Sequence, residues 1–81
     1  MNGEIQMHDV VALLEDTRTR HFQMGKDLWL RRGQVGTVVM TYDGAAFEVE
    51  FAAEDGRAYA LLPISRGKLL ALRHEPELAY A

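Results

Sequence analysis

At 81 residues with a net charge of −3, the chain is long enough for one domain and too short for two. A hydrophobic fraction of 48% and a charged fraction of 26% are ordinary for a folded globular chain and exclude a wholly disordered one. The absence of cysteine excludes disulfide staples, thiol catalysis and thiolate-bound zinc; small secreted domains lean on such staples, so a cytoplasmic setting is expected.

Residues 1–6 lack the basic start and apolar run of a leader and are expected to form a flexible tail. His8 to Leu14 reads as a strand through its Val10-Val11 pair and short length. Residues 15–29 show no clean period, mix Asp16, Thr17 and Gly25 with further charges, and predict a long loop. Gly33 and Gly36 then flank a change of direction, supplying either positive φ or close backbone approach. Thr37 to Tyr42 is rich in β-formers, and Asp43-Gly44 is a hairpin signal with one or two extra loop residues. In Ala46 to Phe51, Phe47, Val49 and Phe51 share one face while Glu48 and Glu50 share the other, which predicts a half-buried antiparallel strand. Glu54-Asp55-Gly56 predicts a tight turn and Arg57 to Leu62 a strand, with Pro63 ending the central pairing because it has no N–H to donate. Ser65-Arg66-Gly67 predicts a single turn, Lys68 to Leu72 a last short strand, and residues 74–81 a polar tail. No stretch approaches the ~18 apolar residues of a membrane helix.

Five short strands in this order predict an all-β fold: a small five-stranded SH3-like barrel with a long first loop, occupying residues 7–73. Leu30-Arg31-Arg32-Gly33-Gln34-Val35-Gly36-Thr37-Val38-Val39, then Phe47-Glu48-Val49-Glu50-Phe51 and Gly56, resemble the small bacterial family called domain of unknown function 4926. The opening Asp9-Val10-Val11-Ala12-Leu13 and the closing Leu69-Leu70-Ala71-Leu72 resemble it too. The resemblance implies an SH3-like barrel in a bacterial cytoplasm and implies no activity. Family members reach the Leu-x-x-Gly motif through a short loop, whereas this chain spends residues 17–29 there, so no role for that segment is borrowed. Gly33-x-x-Gly36-x-Val38 is also similar to the turn and strand of KOW-type domains, which bind ribosomal RNA or RNA polymerase.

Charge is segregated. Residues 17–36 carry Arg18, Arg20, Lys26, Arg31 and Arg32 against Asp27, a net +4, and the remainder carries four basic and eleven acidic side chains, a net −7. The candidate binding residues are therefore Arg18, Arg20, His21, Phe22, Trp29, Arg31 and Arg32. The arginines could contact phosphates while Phe22 and Trp29 stack on bases. The alternative is a solvated loop whose aromatics fold back, with Trp29 capping one end of the barrel. An acidic remainder argues against dedicated nucleic-acid binding.

Catalytic and metal chemistry find little support. His8, His21 and His74 lie in separate segments without ligand spacing, so no metal and no cofactor are expected. Glu48 and Glu50 suit solubility, guarding the apolar alternation between them. Ser65, the single serine, lacks a nucleophile elbow, and Gly33-x-x-Gly36 lacks the Lys-Ser/Thr of a phosphate loop. The expectation is a non-enzymatic binding module whose partner is another protein, as an accessory or antidote-like subunit. An RNA- or DNA-binding accessory domain using residues 17–32 is the alternative, and a homo-oligomer is compatible with either.

Overall fold

The computed structural model describes residues 5–79. It is all-β apart from one 3-10 turn: β1 Val10–Leu13, β2 Thr17–Arg20, β3 Asp27–Leu30, β4 Val35–Tyr42, β5 Ala46–Ala52, β6 Ala58–Ser65, the 3-10 turn Arg66–Lys68, and β7 Leu69–Ala71. Five strands form one antiparallel sheet in the order β6-β5-β4-β1-β7, and β2 with β3 forms a separate two-stranded sheet.

The β4-β5-β6 meander follows directly from the local signals. Asp43 and Gly44 both hold positive φ, 55° and 74°, and the Ala45 N–H donates to the Tyr42 carbonyl at 3.0 Å. This is the mirror-image turn whose twist matches the flanking strands, extended by one residue because Tyr42 pairs with Ala46. Gly56, at φ 87°, closes the next turn by donating its N–H to Ala53 at 2.9 Å. On β5 the alternation holds throughout: Phe47, Val49 and Phe51 are fully buried and the two glutamates lie between them on the outer face. Val11 and Leu13 of β1, Val38 of β4, Ala60 and Ile64 of β6 and Leu69 of β7 complete the core around them, with Leu30 of β3 inserted from the smaller sheet.

Three sequence expectations change. Residues 15–29 are not a loop but contain the β2-β3 hairpin, so the described residues hold seven strands and not five. Thr17-Arg18-Thr19-Arg20 and Asp27-Leu28-Trp29-Leu30 each alternate, but at four residues apiece the period was too short to stand out among the charges. Pro63 does not end its strand: β6 runs on to Ser65 with Pro63 opposite Glu48. An edge strand tolerates proline where the missing N–H faces away from the ladder. Within the expected N-terminal tail, Ile5 packs against the core and the Gln6 N–H donates to Asp9 Oδ2 at 2.8 Å; its first four residues lie outside the described residues.

The two glycines of the Leu-x-x-Gly-x-x-Gly stretch do different work. Gly33 sits at φ 90° in the turn into β4. Gly36 lies inside β4 opposite Val11, where a Cβ would meet Val49 Cγ1 at 2.7 Å and both the Glu50 carbonyl oxygen and Phe51 Cε1 at 2.9 Å. A methyl there forces backbone as well as side chains to move, and overpacking of this kind costs about 3 kcal/mol at its upper end. Gly36→Ala is therefore expected to lower the denaturant-unfolding free energy by about 3 kcal/mol. Gly67→Ala, whose Cβ meets nothing within 4 Å, should stay within about 0.5 kcal/mol of the parent. Equal effects from the two substitutions would refute the close-approach account.

Candidate functional site

The charged hairpin is built by simple alternation. Thr17, Thr19, Leu28 and Leu30 turn toward the body of the domain, and Leu30 is fully buried. Arg18, Arg20, Asp27 and Trp29 turn outward, with Arg18 opposite Trp29 and Arg20 opposite Asp27. Trp29 thus does not cap the core; its neighbours Leu28 and Leu30 pack inward, and the indole is 53% exposed on the outer face.

Two guanidinium groups lie against that indole. Arg18 Cζ stands 5.9 Å from the ring centroid and Arg31 Cζ 5.2 Å, within the range of a cation–π contact. Each guanidinium is also held by a carboxylate. Arg18 donates to Asp27 Oδ2 at 2.8 Å, with Arg20 Nε 3.7 Å from the other oxygen, and Arg31 donates to Asp16 Oδ2 at 3.1 Å. Asp16 Oδ1 accepts the Arg32 backbone N–H at 2.8 Å, so one carboxylate pins both the first strand's approach and the β3-β4 turn. The Arg32 N–H, aided by the Arg31 guanidinium, holds the Asp16 carboxyl below the ordinary Asp value. The Arg18 hydrogen bond and charge, with a smaller contribution from Arg20, do the same for Asp27.

His21 and Phe22 lie at the other end of the hairpin, beyond the Arg20–Asp27 pair. His21 Nδ1 accepts the N–H groups of Gln23 at 3.2 Å and Met24 at 3.1 Å, and its ring stacks on Phe22. The turn is closed by Gly25 at φ 71°, whose N–H donates to the His21 carbonyl at 2.8 Å. His21 thus has a turn-capping role that its sequence position did not reveal. Phe22 and Met24 remain exposed on the tip.

The hairpin is fixed to β6 through one residue that sequence reasoning missed. Tyr59 occupies a bulge, between Ala58 opposite Ala52 and Ala60 opposite Phe51. Its carbonyl accepts the Phe22 N–H at 3.1 Å, and its hydroxyl accepts from Gln34 Nε2, next to the hairpin's other end. A tyrosine in a strand otherwise read as Ala-Leu gave no signal of this; the bulge comes from the pairing with β5.

The sequence-selected residues therefore divide. Arg18, Trp29 and Arg31 form one cluster with Arg20 alongside, Arg32 contributes its backbone to the Asp16 clamp, and His21 with Phe22 forms the distal tip. Elsewhere, Tyr42 donates its hydroxyl to Glu48 at 2.7 Å, which raises the phenol's pKa. An open depression lined by Ile5, Asp43, Gly44, Phe47 and Arg66 brings together no nucleophile and base. Among the described residues, no three His, Asp or Glu side chains converge as metal ligands, and no helix is long and apolar enough to cross a membrane.

The two carboxylates set a pH dependence. A group whose folded pKa is depressed contributes stability above its unfolded pKa and loses it as pH falls through the folded value. Trp29 emission, which reports on both guanidinium contacts, should be constant from neutral pH down to the ordinary Asp value of 3.8 and change below it. The Asp16→Asn, Asp27→Asn double variant should lack that step. A step centred near pH 6, or one that survives the double substitution, would contradict the assignment.

A family model matches residues 7–71, which span β1 through β7 and include the hairpin. No curated protein and no solved structure matches the chain. The match takes in the Gly33-to-Gly36 turn, the alternating β5 and the first and last strands in the chain, and the chain belongs to the family described as domain of unknown function DUF4926.

Proposed function

We propose that the chain is a non-enzymatic protein-binding module on an SH3-like barrel, an accessory subunit of the kind an antidote makes with a larger partner. The barrel reading is supported by connectivity. β6 and β7 are opposite edges of the sheet, yet only residues 66–68 separate Ser65 from Leu69. A flat sheet would hold those edges about 19 Å apart, four strand spacings, whereas four peptide steps reach at most about 14 Å. The sheet must curl to be joined this way, and a meander followed by a one-turn 3-10 connector is the barrel's order.

The observation that carries the binding reading is the exposed Trp29 with the Arg18 and Arg31 guanidinium groups both against its ring. An aromatic ring in contact with two guanidinium groups has less side-chain freedom to lose, and Trp and Arg dominate protein–protein hot spots. Residues 16–32 carry Arg18, Arg20, Lys26, Arg31 and Arg32 against Asp16 and Asp27, a surplus of positive charge that favours a partner presenting carboxylates around an apolar pocket. Protein is favoured over nucleic acid because Asp16 and Asp27 sit within the same face and already engage the arginines a phosphate would need. The cytoplasmic, bacterial setting belongs to the same proposal.

Affinity capture on the tagged chain from its native lysate, at moderate salt, should retain a stoichiometric protein. Trp29→Ala, which removes a half-exposed ring, should leave the melting temperature nearly unchanged and weaken that complex by about 30-fold or more, the scale of a hot spot. Recovery of no protein partner overturns the proposal. Recovery of RNA or DNA, with affinity falling steeply as salt rises, replaces it with the nucleic-acid reading.

A further inference from the structure

The two edges of the five-stranded sheet are unequally protected. On β6, Pro63 has no N–H to offer and the Tyr59 carbonyl is occupied by Phe22 of the hairpin tip. β7 has no comparable device. Its ladder to β1 runs through the Lys68 carbonyl, which accepts from Leu14 at 3.0 Å, and the Leu72 N–H, which donates to Val10 at 3.0 Å. By strand alternation the backbone N–H and C=O of Ala71 point away from β1. The stretch Leu69-Leu70-Ala71-Leu72 carries neither charge nor proline, the usual guards of an edge.

The outer face beside this edge is apolar. Register places Val35, Ala12 and Leu70 in one row across β4, β1 and β7, and sets Leu72 next to Val10. Leu70 is 51% exposed and Leu72 40%.

We propose that β7 pairs with β7 of a second copy, antiparallel about a two-fold axis through Ala71. This arrangement pairs Ala71 with its own counterpart, so that each donates to and accepts from the other. It also sets Leu70 beside Leu72 of the second copy and makes the apolar row continuous across the junction. Charge selects this occupant. In this antiparallel arrangement the segment after one β7, with Glu75 and Glu77, runs toward the 3-10 turn that precedes the other β7, where Arg66 and the Glu15-paired Lys68 lie. A parallel pairing would instead align basic with basic and acidic with acidic. Because the contact is isologous it consumes both β7 edges, and with β6 capped the assembly closes at two.

Sedimentation of the whole chain, from micromolar to about 1 mM, the weak end of specific association, tests this. The expected result is a concentration-dependent dimer. Ala71→Pro removes an N–H that faces away from β1, so it should keep the far-ultraviolet dichroism spectrum and weaken the dimer by at least about tenfold. Leu72→Lys, at an exposed side chain, should do the same, and it carries the test alone if the proline variant fails to fold. A monomer across the whole range, a species larger than a dimer, or a dimer indifferent to Leu72→Lys overturns the proposal. So does a monomer that takes up a foreign strand on β7.

Discussion

Strand β4 approaches β5 so closely at Gly36 that no side chain fits between them, and the rest of the structure is arranged around that contact. Val49, the Glu50 carbonyl and the edge of the Phe51 ring all lie where a methyl would project. At the same point β4 pairs with β1 through Val11 on its other side. Val49 and Phe51 of the buried cluster therefore pack directly against the β4 backbone at Gly36. A domain of this size has little other means of covering two phenylalanines, since it buries only about 60–65% of the surface its unfolded chain exposes.

The hairpin depends on that core without contributing much to it. An isolated two-stranded hairpin is marginal in water, and β2-β3 is held by Leu30 in the core, by Tyr59 at tip and base, and by the Asp16 clamp. These anchors all lie on the inward side or at the ends. The outward face is left to carry charge and an aromatic ring, and its two aspartates orient the arginines. Exposed ion pairs contribute little stability, so their value here is geometric: they hold guanidinium groups against an indole.

How much was legible in the sequence follows from how local each determinant is. β5, with its seven-residue alternation, and the Asp43-Gly44 turn were readable because each is set by neighbours in the chain. The candidate residues stood out in the sequence as a charged and aromatic group, but their arrangement was not readable. Trp29 faces outward because β3 has a register against β2, and that register is fixed by Leu30 entering a core made by other strands. Tyr59 and the bulge that presents its carbonyl depend on β5 pairing with β6 across the Gly56 turn, a relation no four-residue window contains. His21 read as a candidate binding residue and not as a turn cap, because its ring nitrogen's two backbone donors become neighbours only once the Gly25 turn has formed.

The pairing of β1 with β7 also sets an entropic cost on forming the sheet. It joins Val11 to Ala71, whereas the meander β4-β5-β6 and the β2-β3 hairpin each link strands across a few residues. Closing so long a loop is entropically expensive until other contacts have shortened it, and chains dominated by such distant pairings fold slowly for that reason. The meander can therefore assemble around Phe47 and Phe51 first, with the seam between the first and last strands of the sheet sealing afterwards. Leu69 reaches the core only through that seam, so the pairing of two short strands that lie far apart in the chain carries the largest loop-closure cost in the sheet.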